Sequence, residues 1–182
     1  MIAAVVLAAG SGRRMGGPKA LLRLGEETLL QRAIRQARDA GCAPILAVVG
    51  SWDPGPLAAQ AVVNGDPGSG MAGSIRLGIA ALPPEVEAVL LLAVDQPGVP
   101  AEHLRRLRAR YLASPGRPVA SAYADTLGIP AILPRRLFPA LGALQGDRGA
   151  KTLLLAEAAD VLPCPEGAMD LDTPEDLARF RR

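Results

Sequence analysis

A chain of 182 residues fits one domain spanning 1–182 with a substantial buried core. Apolar residues make up 49% and aromatics only 3%, so that core is built from Val, Leu, Ile and Ala. A net charge of +2 gives no footing for a nucleic-acid surface. Cys42 and Cys164 show no ligand or CxxC spacing and read as free thiols of a reducing cytosol. No apolar run approaches the roughly 20 residues of a membrane span, and the N-terminal apolar stretch lacks the preceding basic residue of a signal peptide. The expectation is a soluble, cytoplasmic protein that contacts neither nucleic acid nor membrane.

Apolar runs alternate with amphipathic stretches, the pattern of an α/β sheet with helices on both faces. The first strand is expected near Ile2–Leu7, followed by a turn carrying Gly10, Gly12, Gly16 and Gly17. A helix follows from Thr28 to Ala40, with Thr28 as N-cap and Gly41 as its stop. Ile45–Val49 is a second strand, 51–56 a loop, Leu57–Gln60 a short helical piece and Ala61–Val63 a short strand. After the glycine-rich NGDPGSGMAGS comes a helix over Ser74–Leu82. Ala88–Val94 is the most continuous apolar run and the best candidate for a central parallel strand buried on both faces. A helix over Ala101–Leu112 places His103 in its first turn, where solvation is expected. Val119–Ser121 and Ile129–Leu133 are later strands, Arg135–Leu144 and Gly149–Glu157 helices, and Val161–Leu162 an edge strand. Thr173 caps a last helix with Pro174 at its first position.

Three segments carry chemistry, and an open α/β sheet brings such segments to the carboxyl ends of its strands. In the first, Arg13, Arg14 and Lys19 are threaded through the glycines after the first strand. Glycines let backbone N–H groups close around a phosphate, and the cations neutralise it. The GxGxxxG spacing of Gly10, Gly12 and Gly16 also suits a dinucleotide turn, which raises an NAD(P)-dependent oxidoreductase as an alternative. That fold expects a ribose-binding acid at the end of the second strand, and here Asp53 comes too late, beyond a loop break. Triphosphate binding is the better reading, and no Lys-Ser/Thr pair makes the loop a Walker motif. The second segment is Asp95-Gln96-Pro97, where Asp95 either holds a metal at a strand end or caps the following turn. The third is Asp170-Leu171-Asp172, whose alternation points both carboxylates to one side. One of them could join the metal; acids before a helix also favour its dipole without any ligand.

The segments LAAGSGRRMGGPK, NGDPGSGMAGSIRLGI, VDQP, GIPAILPRRLFPALGALQGDRGAKTLL and DLDTPEDL, in this order, resemble the MobA-like nucleotidyltransferases. Within them the chain is most similar to the molybdenum-cofactor cytidylyltransferase branch. The resemblance implies a three-layer α/β/α sandwich with a mostly parallel, Rossmann-like sheet of the nucleotide-diphospho-sugar transferase type. It also implies Mg²⁺-dependent transfer of CMP from CTP to the terminal phosphate of molybdopterin, with release of pyrophosphate and with Mn²⁺ as a possible replacement. Ala8-Ala9-Gly10 looks like the cytidylyl branch, whereas guanylyl relatives usually show a second glycine at position 9. Carried onto this chain, Leu7, Ala8, Ala9, Gly10, Gly12, Arg13, Lys19, Asn64, Gly70 and Ser74 bind the nucleotide. Arg14, Lys19 and Asp95 are catalytic, Asp95 and Asp172 hold the metal, and Gln96, Asp147, Lys151 and Asp170 face the acceptor. Ile129 stands where relatives often carry histidine in a Gly-His-Pro motif, which bears on the acceptor. Guanylylation of the same cofactor, cytidylylation of another phosphorylated acceptor and a non-catalytic cofactor carrier are the competing readings within this framework. A molybdoenzyme or its maturation factor is the protein partner the resemblance suggests.

Overall fold

A computed structural model describes residues 1–10, 12, 16–146 and 149–180; Ser11, Arg13, Arg14, Met15, Asp147, Arg148, Arg181 and Arg182 lie outside the described residues. Its frame is a seven-stranded sheet. In chain order the strands are β1 (Ile2–Leu7), β4 (Ile45–Val49), β5 (Gln60–Val63), β6 (Ala88–Ala93), β7 (Val119–Tyr123), β8 (Thr126–Pro134) and β9 (Asp160–Pro163). β2 (Arg23–Leu24) and β3 (Glu27–Thr28) form a separate small hairpin. Across the large sheet the order is β5-β4-β1-β6-β8-β7-β9. Pairing is parallel everywhere except along β8, which runs against both β6 and β7. Six strands therefore end at one edge.

β1 and β6 are buried at every position, as runs with helices on both faces must be. On one face, Ala4, Val6, Leu90 and Leu92 pack against α1 (Leu29–Asp39) and α3 (Ala101–Ala113), with α6 (Pro174–Phe180) alongside. On the other, Val5, Leu7, Val89 and Leu91 meet α2 (Gly70–Ala80), α4 (Phe138–Gly142) and α5 (Lys151–Ala156). The result is the three-layer α/β/α sandwich.

α2 lies unusually close to the sheet. A Cβ on Gly78 would come within 2.4 Å of Val5 Cγ1, so only glycine allows this approach. The helix begins at Gly70, four residues before the expected start, and ends at Ala80, two before the expected end. Its glycines have poor helix propensity, and packing on β1 overrides it.

Other differences have local causes. No helix forms over Leu57–Gln60: Asp53 Oδ1 accepts a hydrogen bond from Gly55 N (2.9 Å), fixing a turn, and the chain runs extended into β5 from Gln60. Trp52 packs over the backbone here, its Nε1 so close to Gly50 that a Cβ there would lie 2.5 Å away. The strands at 119 and 129 are longer than expected and form a β7–β8 hairpin, with Ala124 and Asp125 at positive φ (47° and 58°) in its turn. The stretch from Arg135 splits into a 3-10 turn (Arg135–Leu137) and the short α4. Thr28 caps α1 as expected and completes a capping box, accepting from Gln31 N (3.1 Å) while Gln31 Oε1 accepts from Thr28 N (2.9 Å). Cys42 and Cys164 are free and buried. Among the described residues no helix is long and apolar enough to cross a membrane.

His103 departs most from expectation, since it is buried and not solvated. Its Nε2 lies 2.8 Å from Ser121 Oγ, and that hydroxyl donates to the Pro130 carbonyl (2.6 Å). A hydroxyl has one proton to give, so Nε2–H must donate to Ser121 and Nδ1 must be unprotonated. Nδ1 has no partner among the described residues. Burial, and then the nearby Arg106 cation, lower the His103 pKa below its ordinary value. The unfolded chain therefore takes up a proton near pH 6.5 that the folded chain refuses, and stability falls as the pH drops through that point. Thermal melts at pH 7.5 and 5.5 test this: the loss on acidification is expected to be smaller for His103→Gln than for the parent chain.

Candidate active site

The carboxyl edge of the sheet holds a cleft of about 390 Å³. β1 runs out into it through Leu7, Ala8, Ala9 and Gly10, and β6 through Ala93, Val94 and Asp95. Lys19 enters from a 3-10 turn (Lys19–Leu21) after the glycine loop. That loop folds back on itself at Gly12 (φ +55°), where a Cβ would lie 1.9 Å from Gly17 O. Asn64 follows β5 on the far wall, and Gly70, Met71 and Ser74 come from the first turns of α2. Asn64 and Ser74 are buried and bonded, Asn64 Nδ2 donating to Ser74 Oγ and Ser69 Oγ at 3.1 Å each. Asp66 N donates to Asn64 Oδ1 (3.1 Å), which fixes the amide's orientation.

At the mouth of the cleft three charged groups meet. Lys19 Nζ lies 4.0 Å from Asp95 Oδ2 and forms a short ion pair with Asp172 Oδ1. Asp172 reaches this point because Leu171 is fully buried and its N–H donates to the Asp95 carbonyl (2.8 Å). The main chain thus staples the acidic segment to the end of β6. Burial pushes the Asp95 carboxyl above the usual carboxylate range; Lys19 pulls it down and Asp172 pushes it up. The Asp170 carboxyl is pushed up to about 6, first by desolvation and then by repulsion from Asp95 and Asp172, although much of the residue faces solvent.

The ammonium between Asp95 and Asp172 occupies the kind of position a divalent cation takes between hard oxygen donors. Among the described residues no group of three His, Cys, Asp or Glu side chains is placed to hold a metal. A cation held by Asp95 and Asp172 therefore needs further oxygens, which a polyphosphate supplies.

The structure gathers Leu7, Ala8, Ala9, Gly10, Lys19, Asn64, Gly70, Ser74 and Asp95 around one cavity, with Gly12 in the loop beside it and Asp172 paired to Lys19. Arg13, Arg14 and Asp147 fall outside the described residues. Of the remaining acceptor-side candidates, Gln96 and Asp170 are neighbours, a Gln96 side-chain hydrogen bond favouring the Asp170 carboxylate, while Lys151 lines a different groove. Gln96 is buried, its Nε2 donating to Gly167 O (2.9 Å). Lys151 lines a groove with the β7–β8 hairpin, and Asp170 a separate groove with Arg32, Met169 and Phe180. Met71 escaped sequence reasoning because glycines obscured the start of α2. With the helix starting at Gly70, its placement beside Gly70 and Ser74 follows from helical spacing.

Residues 4–161 match the family described as MobA-like NTP transferase domain. The chain is 32% identical to the nicotine blue oxidoreductase of Paenarthrobacter nicotinovorans, covering 98% of this chain and 96% of that protein. It is 33% identical to the molybdenum cofactor guanylyltransferase of Rhodobacter capsulatus, covering 98% and 94%. Among solved structures, Rv0371c of Mycobacterium tuberculosis superposes with a TM-score of 0.86 at 31% identity, covering 98% of this chain and 96% of that one. The same protein in complex with manganese gives a TM-score of 0.80 at 29% identity, covering 98% and 97%.

Removing the ammonium should leave the carboxylates repelling one another. Lys19→Met is expected to lower stability at pH 7.5 by about 1–2 kcal/mol, discounted for the exposure of Asp172. Without the cation Asp95 loses the charge that pulls its carboxyl down, so the penalty shrinks as the pH falls and that carboxylate protonates. Denaturant unfolding of both proteins at pH 7.5 and 5.0 measures the narrowing; a constant gap would detach Lys19 from the acids.

Proposed function

The chain belongs to the MobA-like NTP transferase family, and we propose that it moves CMP from CTP to the terminal phosphate of a molybdopterin-type acceptor, releasing pyrophosphate. The observation that carries this reading is the shared cleft: Lys19 and Asp95 border the same nucleotide-sized cavity, and Lys19 also pairs with Asp172. On this reading Leu7 to Gly10, Gly12 and Lys19 cradle the triphosphate, with Arg13 and Arg14 adding charge from the same loop. Asn64, Gly70 and Ser74 face base and ribose. Asp95 and Asp172 fit a divalent cation, Mg²⁺ or Mn²⁺, which when bound supplies charge neutralisation on the phosphate oxygens.

The acceptor phosphate is already ionised near neutral pH, so attack on the α-phosphorus needs no general base. His103, held against Ser121 and Pro130, is accordingly free of any part in the chemistry. Lys19 moves from the carboxylates to the phosphate oxygens as nucleotide enters, and with Arg14 stabilises charge developing on the leaving pyrophosphate. Gln96, Asp147, Lys151 and Asp170 contribute on the acceptor side. The choice of CTP rests on Ala9, which lines the cleft where the guanylyl branch usually shows a second glycine. The Rhodobacter relative, named for guanylyl transfer, makes GTP the principal competitor.

The Paenarthrobacter relative, named an oxidoreductase, favours a second reading with a nicotinamide cofactor in the same cleft. Against it, β4 ends without an acid and Asp53 is occupied in capping Gly55. Oxidation of NADH or NADPH in metal-free buffer distinguishes the two.

With Mg²⁺ present, CTP should raise the melting temperature more than GTP, ATP or UTP, and pyrophosphate release should require both CTP and molybdopterin. Asp95→Ala is expected to lose at least about 10²-fold in that rate while its circular dichroism spectrum stays native. Near-parent turnover by this variant would remove Asp95 from the chemistry, and stronger protection by GTP would reassign the nucleotide.

A further inference from the structure

We propose that Arg76 is a positioning residue for the phosphate acceptor: from α2 its guanidinium holds the chain at Leu144–Gly146, on the approach to Lys151. This deepens the transferase reading and rests on it. Arg76 is half-buried, and its Nη1 donates to the Leu144 carbonyl (2.6 Å), just beyond α4. A charged donor on a main-chain carbonyl is among the stronger hydrogen bonds a protein makes.

Two further contacts join the same elements. Ala72 N donates to Gly146 O (3.3 Å). Met71 packs so closely on Gly149 that a Cβ there would lie 2.8 Å from its sulfur. Residues 71, 72 and 76 of α2 thus hold positions 144, 146 and 149, and Lys151 starts α5 just beyond. The same helix presents Gly70, Met71 and Ser74 to the cleft. One rigid element therefore touches the nucleotide and fixes the segment that leads to the acceptor side. α2 does not need Arg76 to keep its own place. Fully buried Ile75 and the Gly78–Val5 approach anchor it to β1. Loss of the guanidinium should free the chain at Leu144 and Gly146 and leave the nucleotide wall standing.

The test compares the parent chain, Arg76→Ala and Arg76→Lys with CTP, Mg²⁺ and molybdopterin, each checked for a native melt. Arg76→Ala should raise KM for molybdopterin about tenfold or more, with kcat and the thermal shift given by CTP within about twofold; Arg76→Lys, which still reaches the carbonyl with a cation, should recover most of the loss. Amide hydrogen exchange at Ala72, whose N–H donates to the Gly146 carbonyl, and at Leu144 should be faster in Arg76→Ala, whatever the acceptor. Unchanged molybdopterin KM, or equal losses toward CTP and molybdopterin, would overturn the proposal. If the parent chain releases no pyrophosphate with molybdopterin, the acceptor assignment has failed, and exchange alone decides whether Arg76 holds the segment. If Arg76→Ala fails to fold, Arg76→Gln takes its place, with Arg76→Lys again expected to keep most of the parent's affinity, and an unchanged molybdopterin KM in Arg76→Gln overturns the assignment.

Discussion

A single main-chain hydrogen bond, from Leu171 N–H to the Asp95 carbonyl, brings together segments that lie far apart in the chain. With Leu171 sunk in the core, the flanking Asp170 and Asp172 are carried to the strand end where Asp95 sits, close enough for their charges to act on it. Three carboxylates crowded in this way repel, and the raised Asp95 and Asp170 titrations record that repulsion together with partial loss of water. Lys19 relieves it. The rest of the site depends on this local electrostatic problem and its one-cation solution.

The scaffold beneath is stiff for an ordinary reason. The core is built from small and branched aliphatics, and β1 and β6 are sealed on both faces, so the strand ends that form the cleft floor cannot shift independently. Gly78 lets α2 approach β1 closely, which brings Ser74 and Gly70 to the opposite wall, where Ser74 meets Asn64 from the end of β5. The antiparallel β8 changes the architecture without disturbing the edge. β7 regains the direction of β6, and the hairpin turn at Ala124–Asp125 projects from the same side as Asp95.

Much of this was legible in the residues. Ile2–Leu7, Ile45–Val49 and the run from Ala88 announce themselves by unbroken apolarity, and Thr28 and Gly41 bracket a helix by capping chemistry. That the glycine loop and Asp95 meet at one edge followed from where strands end in an open sheet, whereas Asn64, Gly70 and Ser74 were picked out by the family resemblance. What stayed hidden depends on tertiary contacts. A helix beginning in Gly-Met-Ala-Gly is invisible to propensity. A histidine among arginines on an amphipathic helix looks wet until Ser121 is seen beneath it. The β7–β8 pairing, and the separation of Lys151 from the neighbouring Gln96 and Asp170, depend on strand order, which local sequence does not encode.

Trp52 gives the molecule an optical property that its architecture did not require. It is the chain's sole indole, seated on the Gly50 backbone, and the Ala9 carbonyl lies just beyond that glycine. Indole emission therefore originates from one address, a short step behind the wall of the cleft. Changes in that wall can be followed by fluorescence in the unlabelled chain, with excitation chosen beyond tyrosine absorption so that Tyr111 and Tyr123 stay dark.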